Sequence, residues 1–250
     1  IWFFAGIQKT LMKAKIIIVD YRSKSTGIFY LFKDFIKILI NKSTLNIFAH
    51  KDLIFYLSKY VFRKKTYFLP MGSFCEYKYL KKKYDFIHIG EISNKKTGDD
   101  FYDLIFKLSK KHKIILIGKI DNNYILKLRK IKKNLKIINK NFPIDILNNY
   151  INRSKFGISW YSHQNYLKGQ ISTKILDYNR CKLPILCNTS HVNSYTCKKY
   201  NINNFYYYDD NFKLQNNLKI KISKKNYNFK KILKKSELYR DLCKAFLVKK

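Results

Sequence analysis

The stretch ISTKILDYNRCKLPILCN, residues 171–188, predicts a short capped helix followed directly by a buried strand. Ser172 and Thr173 precede the helix and can accept hydrogen bonds from its free backbone N–H groups. Those N–H groups carry a partial positive charge, so a diphosphate can bind there while Lys174 neutralises one of its oxygens. The run LPILC at 183–187 is apolar and short, which is typical of a strand covered on both faces. Together these features indicate a ligand-binding edge of an α/β sheet.

Lys174 and Asp177 lie three residues apart and therefore share one face of the predicted helix. A carboxylate in this place can accept hydrogen bonds from ribose hydroxyls, as acidic residues do in other nucleotide-binding α/β folds. A solvated Lys–Asp pair on an ordinary amphipathic helix also explains the spacing, and the spacing by itself favours that explanation. The choice therefore depends on the rest of the chain.

The same segment resembles the sugar-nucleotide-binding motif of GT-B glycosyltransferases of the family 4, or group 1, type. In that motif a K-x-x-E/D-Y helix precedes a G-x-P-V-I strand, and the matching residues here are TKILDY at 173–178 and KLPIL at 182–186. Upstream, FIHIG at 86–90 resembles the first strand of the family's C-terminal domain. The resemblance therefore extends over most of the chain.

In the family, that first strand ends in Gly-Arg, and a Lys-Gly pair that contacts the donor phosphates follows a few residues later. Gly90 matches the first glycine, Glu91 takes the place of the arginine and Lys96 takes the place of the lysine. Gly98 comes one residue later than the family glycine. The resemblance thus implies that Gly90 and Lys96 contact the donor, together with Gly118 at the end of the next strand.

Strands and helices alternate along the second part of the chain, which requires parallel pairing through crossover connections. The apolar spacing predicts strands at 86–90, 113–118, 135–138 and 156–160, with helices at 99–110 and 122–132. The run at 142–151 resembles a helix of the family, and the aromatic run at 204–208 predicts an edge strand. We expect an α/β fold of the GT-B type with two Rossmann-like parallel-sheet domains. The boundaries are 1–72 for the N-terminal acceptor-side domain, 73–228 for the nucleotide-sugar domain and 229–250 for a helix returning toward the first domain.

The first domain is shorter than the family pattern, so we expect it to be incomplete and the chain to be a fragment or a degraded reading frame. Strands are predicted at 15–20 and 45–50, helices at 28–40 and 52–60, and the run at 66–72 resembles the family's L-P-N-G crossing. Asp20 and His50 end the two strands, so either can face a cleft as a catalytic base. A buried, hydrogen-bonded polar residue or a helix cap is the commoner role for such a residue, and the catalytic residue stays unassigned.

The polar loop 161–170 leaves the carboxyl end of a predicted strand, where ligands bind in open α/β sheets. His163 in this loop can donate to a phosphate or a sugar, although a solvated loop histidine explains it as well. Gly169 stands where many retaining family members carry a glutamate, eight residues before the helix carboxylate. The stereochemical outcome therefore stays open.

The net charge of +36, from 52 basic and 16 acidic residues, suggests a nucleic acid or an anionic membrane as a partner. The basic residues are mostly lysines, accompanied by much Asn, Ile, Tyr and Phe and by only 8 Gly and 3 Pro. Since AT-rich codons encode the residues in excess, we attribute much of the charge to genome composition. We expect no nucleic-acid partner, but a basic face that can lie against anionic lipid, which suits a lipid-linked acceptor.

Neither a membrane span nor a disulfide framework is expected. No apolar run reaches the roughly 18 to 20 residues that cross a bilayer. The cysteines are odd in number and contain no CxxC pair, as in reduced thiols of a cytoplasmic protein: Cys75, Cys181, Cys187, Cys197 and Cys243. The expected location is the cytoplasm, including the inner face of the membrane.

The resemblance implies a glycosyltransferase that moves a sugar from a UDP- or GDP-type donor to a saccharide or lipid-linked acceptor, in cell-surface polysaccharide or glycolipid assembly. No metal or other cofactor is expected, since lysines can offset the charge of the leaving diphosphate. A sugar-nucleotide epimerase of the same fold, a basic nucleic-acid-binding protein and a catalytically incomplete remnant are the alternatives. The expected donor-binding residues are Gly90, Lys96, Gly118, His163, Ser172, Thr173, Lys174 and Asp177.

Overall fold

The structure is a computed structural model that describes residues 2–4, 16–22, 29, 32–36, 44–49, 65–131, 133–163, 170–208 and 228–247. The chain divides into two compact units. Residues Ile1–Gly72 and Tyr227–Lys250 form the first unit, and residues Ser73–Asn226 form the second. Each unit contains its own parallel sheet.

The first unit contains a four-stranded parallel sheet in the order β1-β2-β3-β4. Its strands are β1 Trp2–Phe4, β2 Ile18–Tyr21, β3 Leu45–Phe48 and β4 Lys65–Phe68. Two of the strands, β2 and β3, overlap the predicted strands, whereas β1 and β4 were not predicted as strands. Residues 32–36 are helical, inside the predicted 28–40 helix. His50 and the predicted 52–60 helix lie outside the described residues.

The second unit contains a six-stranded sheet in the order β10-β9-β8-β5-β6-β7, and all its pairs are parallel. The strands are β5 Tyr84–Ile89, β6 Ile114–Ile117, β7 Leu135–Ile138, β8 Ser154–Ser159, β9 Ile185–Cys187 and β10 Phe205–Tyr207. The helices between them are α1 Asp100–Ser109, α2 Asn122–Arg129, α3 Ile144–Asn152, α4 Thr173–Arg180 and α5 His191–Tyr200. All six strands match predicted ones, and α5 is the helix that the sequence pattern does not show.

The order of the second sheet reverses between β5 and β8. From β5 the chain continues through β6 to β7 on one side, and it then crosses to β8, β9 and β10 on the other. Such a switch point opens a crevice outside the carboxyl ends of the two central strands, where α/β proteins bind ligands. A buried apolar cluster that includes Phe86, Leu116 and Ile158 fixes these central strands.

Two helices close the first unit, α6 Phe229–Lys234 and α7 Glu237–Leu247, where the sequence predicts one continuous helix. Ser236 explains the break, because its hydroxyl donates to the Leu233 carbonyl and accepts from the Tyr239 N–H at 3.1 Å. Leu238 on α7 is buried in an apolar cluster with Ile18 and Ile47 of the sheet. The helices are thus part of the core of the first unit.

Polar groups of the first unit are also paired. Asp20, at the end of β2, is buried and accepts a hydrogen bond from Arg22 at 2.5 Å. Asp241 of α7 accepts from Lys65 Nζ at 2.6 Å and from the Tyr67 hydroxyl at 2.7 Å. Asp20 therefore sits in a buried ion pair, the commoner of the two roles that the sequence allows for it.

All five cysteines lie among the described residues, and none forms a disulfide. Across the part of the chain that the structure describes, no helix is both long enough and apolar enough to cross a bilayer.

Candidate functional site

A cavity of about 340 Å³ opens at the carboxyl ends of β5 and β8, at the switch point of the second sheet. The described residues that line it are Ile89, Gly90, Glu91, Lys96, Leu147, Tyr161, Gln170, Ile171, Thr173, Lys174 and Asp177. Five predicted donor-binding residues are in this group, although they come from two segments about 80 positions apart in the sequence: Gly90, Lys96, Thr173, Lys174 and Asp177. The fold therefore brings both parts of the sequence motif to one cavity.

Helix α4 begins at this cavity because Ser172 caps it. The Ser172 side chain accepts a hydrogen bond from the Ile175 N–H, and its backbone N–H donates to the Thr196 hydroxyl at 2.9 Å. The free N–H groups of the first turn, with Thr173 in the cavity lining, carry a partial positive charge. This helix start can therefore bind an anion in the cavity.

Lys174 is buried, yet no carboxylate lies among its described hydrogen-bond partners. Its Nζ lies 3.4 Å from Nε2 of His88, a fully buried residue of β5, and 4.5 Å from the centre of the Tyr161 ring. Burial, and to a smaller extent the charge of Lys96, lower the pKa of Lys174 to about 7, although Glu91 opposes the change. Burial and the charge of Lys174 also hold the pKa of His88 well below its usual value. His88 is therefore neutral, and its Nε2 can accept a hydrogen bond from the amine.

The loop that carries Lys96 is held by backbone contacts on both sides. Ser162 donates from its backbone N–H to the Lys96 carbonyl at 2.9 Å and from its hydroxyl to the Lys95 carbonyl at 2.8 Å. The Tyr124 hydroxyl donates to the Gly98 carbonyl at the end of the loop. Lys96 Nζ lies 3.5 Å from the Gln170 side-chain oxygen, and burial lowers its pKa. A second cation is thus held at the cavity, beside the segment that leads into α4.

Asp177 lies one turn into α4 and is half-buried at the cavity. Its Oδ1 accepts a hydrogen bond from the Ser73 hydroxyl at 2.5 Å. Burial raises the pKa of Asp177 to about 6, against hydrogen bonds from Ser73 and Cys75 that lower it. The carboxylate is therefore ionised near neutral pH and can accept a hydrogen bond from a ligand hydroxyl.

Tyr178 fixes α4 against the central strands of the sheet. Its hydroxyl accepts from the Ile89 N–H at 3.1 Å, and it lies 3.2 Å and 3.3 Å from the carbonyls of Ile87 and Ile158. The ring lies against Gly157 so closely that a Cβ on Gly157 would be 2.3 Å from a ring carbon. This contact sets the distance between α4 and the two central strands.

We expect Tyr178→Phe to lower the free energy of unfolding by about 2 kcal/mol, because it leaves the buried Ile89 N–H without an acceptor. Urea unfolding followed by circular dichroism measures the loss. Tyr79→Phe is the control, because Tyr79 is 91% exposed and its substitution should change the free energy by less than about 0.5 kcal/mol. Equal unfolding midpoints for both variants would contradict the anchoring role.

The other three predicted donor-binding residues do not line the cavity. Ser172 is fully buried beneath it as the cap of α4, and its hydroxyl accepts from the Tyr161 hydroxyl at 3.1 Å. Gly118 lies against Gly90. A Cβ atom added to Gly118 would lie 2.1 Å from the Gly90 carbonyl oxygen. His163 is exposed, and residues 164–169 that follow it lie outside the described residues. Ser172 and Gly118 thus act on the shape of the site.

Two residues of the site were not predicted from the sequence, Ser73 and His88, whereas Tyr161 and Gln170 are the two ends of the polar loop in which the sequence predicts ligand contacts. Tyr161 is held by Asn188, which accepts from its N–H at 3.4 Å and donates to its carbonyl at 2.7 Å. Asn193 in turn donates to the Asn188 side chain at 2.9 Å. The only local signal was a histidine inside the apolar strand FIHIG, which is unusual for a buried strand. The other contacts join distant segments, which a local motif cannot show.

Metal-binding clusters are not found in the part of the chain that the structure describes: no group of three or more His, Cys, Asp or Glu side chains is placed to hold an ion. The described cations at the cavity are Lys96 and Lys174. An anionic ligand bound there would therefore meet lysine charges and helix N–H groups.

No protein-family model matches the chain, and no curated protein matches it by sequence. Its structure is similar to TarM, with a TM-score of 0.50 and 12% identity over 91% of this chain and 44% of TarM. AviGT4, a glycosyltransferase involved in avilamycin A biosynthesis, gives a TM-score of 0.49 and 8% identity over 79% of this chain and 55% of AviGT4. The C-terminal domain of LpcC, a glycosyl transferase group 1 family protein from Francisella tularensis, gives 0.36 and 14% over 45% of this chain and 62% of that domain.

These similarities concern the fold, because the three identities are far below 25%, and among these three structures the TM-score reaches 0.50 for TarM alone. TarM has the GT-B glycosyltransferase fold. The expected fold class is therefore confirmed: this chain has the α/β fold of GT-B glycosyltransferases, with two parallel sheets. The chain spans 44% to 62% of the length of the three structures described.

Proposed function

We propose that this chain is a glycosyltransferase that binds a nucleotide-sugar donor in the cavity of its second unit. The observation that carries the proposal is the convergence of Lys96, Lys174, Asp177 and the start of α4 on one cavity. A diphosphate requires cations and N–H donors, whereas a ribose requires a carboxylate acceptor. Lys174 and Asp177, one group of each kind, lie within one turn of α4, and Lys96 lines the same cavity.

In this proposal the diphosphate of the donor lies between Lys96 and the first turn of α4. Breaking the bond between the sugar and the diphosphate leaves negative charge on the departing oxygen. Lys96, Lys174 and the N–H groups of α4 stabilise that charge where it develops, without a metal ion. Asp177 accepts the hydroxyls of the ribose, and an acceptor oxygen takes the sugar. The proposed donor is of the UDP or GDP type, and the acceptor is a saccharide or a lipid-linked sugar.

The proposed setting is polysaccharide or glycolipid assembly at the cytoplasmic face of a membrane. The net charge of +36 supports it, because a polybasic protein is attracted to anionic lipid by about 1 kcal/mol for each lysine near the surface. His163 stays a predicted sugar or phosphate contact. Its exposed position is compatible with a contact that forms only when a donor is bound.

Titration calorimetry with UDP and GDP tests the donor site. We expect one of them to bind, and we expect Asp177→Asn to weaken that binding about tenfold, because the amide has no charge and replaces one of the two acceptor oxygens by an NH₂ donor. Asp103→Asn is the matched control, since Asp103 is an exposed carboxylate on α1 away from the cavity lining. It should leave the affinity unchanged.

If Asp177→Asn leaves the nucleotide affinity unchanged, the assignment of Asp177 to the ribose contact is wrong. The alternative is a basic nucleic-acid-binding protein. It would be supported if neither nucleotide binds, while a single-stranded oligonucleotide binds in a salt-dependent way and is not displaced by UDP or GDP. Sugar transfer to water or to a saccharide acceptor, followed by product analysis, separates a transferase from an epimerase, because an epimerase needs no acceptor.

A further inference from the structure

A second cavity, of about 300 Å³, lies at the other end of the same sheet. Tyr84 is the first residue of β5 and Lys136 is the second residue of β7, so the cavity is near the amino ends of these strands. The donor cavity is at the carboxyl ends of β5 and β8. The described residues that line the second cavity are Lys83, Tyr84, Lys136, Ile146, Asn149, Tyr150 and Arg153.

Three cations converge on this cavity, and no acidic residue is among its described lining residues. Lys83 and Arg153 are held next to each other, because the Lys83 N–H donates to the Arg153 carbonyl at 2.7 Å and the Tyr84 N–H donates to the same carbonyl at 3.2 Å. The neighbouring carboxylate, Asp85, is already paired with Lys155 at 2.8 Å. The positive charge of the cavity is therefore not neutralised by the groups that line it.

The surface beside the cavity is aromatic and basic. Residues 76–83 run along α3, to which Lys78 is tied by a hydrogen bond from its N–H to the Asn152 side chain at 2.8 Å. Tyr79 in this segment is 91% exposed, and Ile146 on α3 is 44% exposed. Lys81, in the same segment as Tyr79, is also exposed. Tyrosine, isoleucine and lysine side chains together are typical of protein surfaces at the boundary between lipid and water.

We propose that the second cavity binds the phosphate group of an anionic phospholipid at a membrane surface. Lys83, Lys136 and Arg153 bind the phosphate oxygens, and Arg153 can do so through two N–H groups at once. Tyr79 and Ile146 then lie at the level of the headgroups and the first acyl carbons. This site is separate from the donor cavity, so its test does not depend on the proposed transfer reaction.

Vesicle co-sedimentation tests the site, with phosphatidylglycerol vesicles, phosphatidylcholine vesicles and a variant that lacks the three cations. The variant is Lys83→Gln, Lys136→Gln and Arg153→Gln together. Its control is Lys111→Gln, Lys119→Gln and Arg129→Gln, which removes the same charges from exposed positions of the same unit outside both cavities. Each cation near the membrane surface strengthens the binding about fivefold. The lining variant, which lacks three cations, should therefore bind phosphatidylglycerol vesicles on the order of 100-fold more weakly than wild type. The control should lose only a few fold.

Equal losses in the two triple variants would overturn the proposal, because they would show that the net charge alone attracts the lipid. Strong binding to phosphatidylcholine would also overturn it, since that headgroup carries no net charge. If millimolar inorganic phosphate binds to the lining residues but the protein does not bind phosphatidylglycerol vesicles, the cavity binds free phosphate. The lipid assignment is then wrong. An unchanged urea unfolding midpoint, followed by circular dichroism, shows that the lining variant is folded, and it does not depend on donor binding.

Discussion

Alanine at Gly118 should lower the free energy of unfolding of the second unit by about 4 kcal/mol, whereas alanine at Gly90 should lower it by about 1 to 2 kcal/mol. Both glycines have positive φ, +144° at Gly118 and +105° at Gly90, so alanine is strained at either position. The difference is a steric clash. A Cβ on Gly118 would lie 2.1 Å from the Gly90 carbonyl oxygen and 2.6 Å from its carbonyl carbon, and these are backbone atoms that cannot rotate away.

A Cβ on Gly90 would instead lie 4.0 Å from the end of the Lys174 side chain, which is ordinary contact. Gly90→Ala is therefore the matched control for the backbone strain of Gly118→Ala. Urea unfolding of the two variants beside wild type measures the difference. A Gly118 variant that accumulates only in insoluble form agrees with the expectation, provided that the Gly90 variant is soluble. Similar unfolding midpoints for both variants would contradict the close approach of β5 and β6 in the structure.

The strand–helix order of the second unit could be predicted because each buried strand is a short apolar run that ends at a polar or glycine residue. Ile114–Ile117 and Ile185–Cys187 show this pattern. Helix α5 was not predicted because His191–Tyr200 contains no apolar stripe. Much of its buried surface is polar, including Asn193 and Thr196. Strand β1 was not predicted because its three residues, Trp2–Phe4, are too few to show a hydrophobic periodicity.

The cavity at the carboxyl ends of β5 and β8 could be predicted as far as its residues lie in two local motifs. Lys174 and Asp177 come from one motif, Gly90 and Lys96 from the other, and all four line the cavity. What the sequence could not show is the state of Lys174. A buried amine that contacts a neutral histidine and an aromatic ring depends on residues 13 and 86 positions away, Tyr161 and His88. That environment gives rise to the last and most informative prediction.

The affinity for a nucleoside diphosphate should fall as the pH rises from 7 to 9, by up to about 100-fold. The pKa of Lys174 is lowered to about 7, so the amine of the free protein is mostly neutral above that pH. A diphosphate beside Nζ favours the charged form and raises that pKa, so binding takes up a proton. Because the bound state holds one proton more than the free state, the association constant falls by up to tenfold for each pH unit above 7.

Other titratable groups around the cavity act in a different range or in the same direction. Asp177, with a pKa of about 6, loses its charge below that pH, which weakens the hydrogen bonds to the ribose on the acidic side. His88 stays neutral throughout, since its pKa is held well below its usual value. The pKa of Lys96 is also lowered, so Lys96 can add to the alkaline loss. The affinity should therefore be highest between about pH 6 and 7.

Calorimetric titration of UDP or GDP at pH 7, 8 and 9, in two buffers with different enthalpies of ionisation, measures both the affinity and the proton uptake. The titration starts at pH 7 because the terminal phosphate ionises near pH 6, and little of its own proton exchange remains above 7. Lys174→Met should bind more weakly at pH 7 and then show a flatter profile up to pH 9, with less proton uptake. Lys96→Met separates the two lysines, since it should keep most of the slope. A wild-type affinity that does not change between pH 7 and 9 would show that the diphosphate does not contact Lys174.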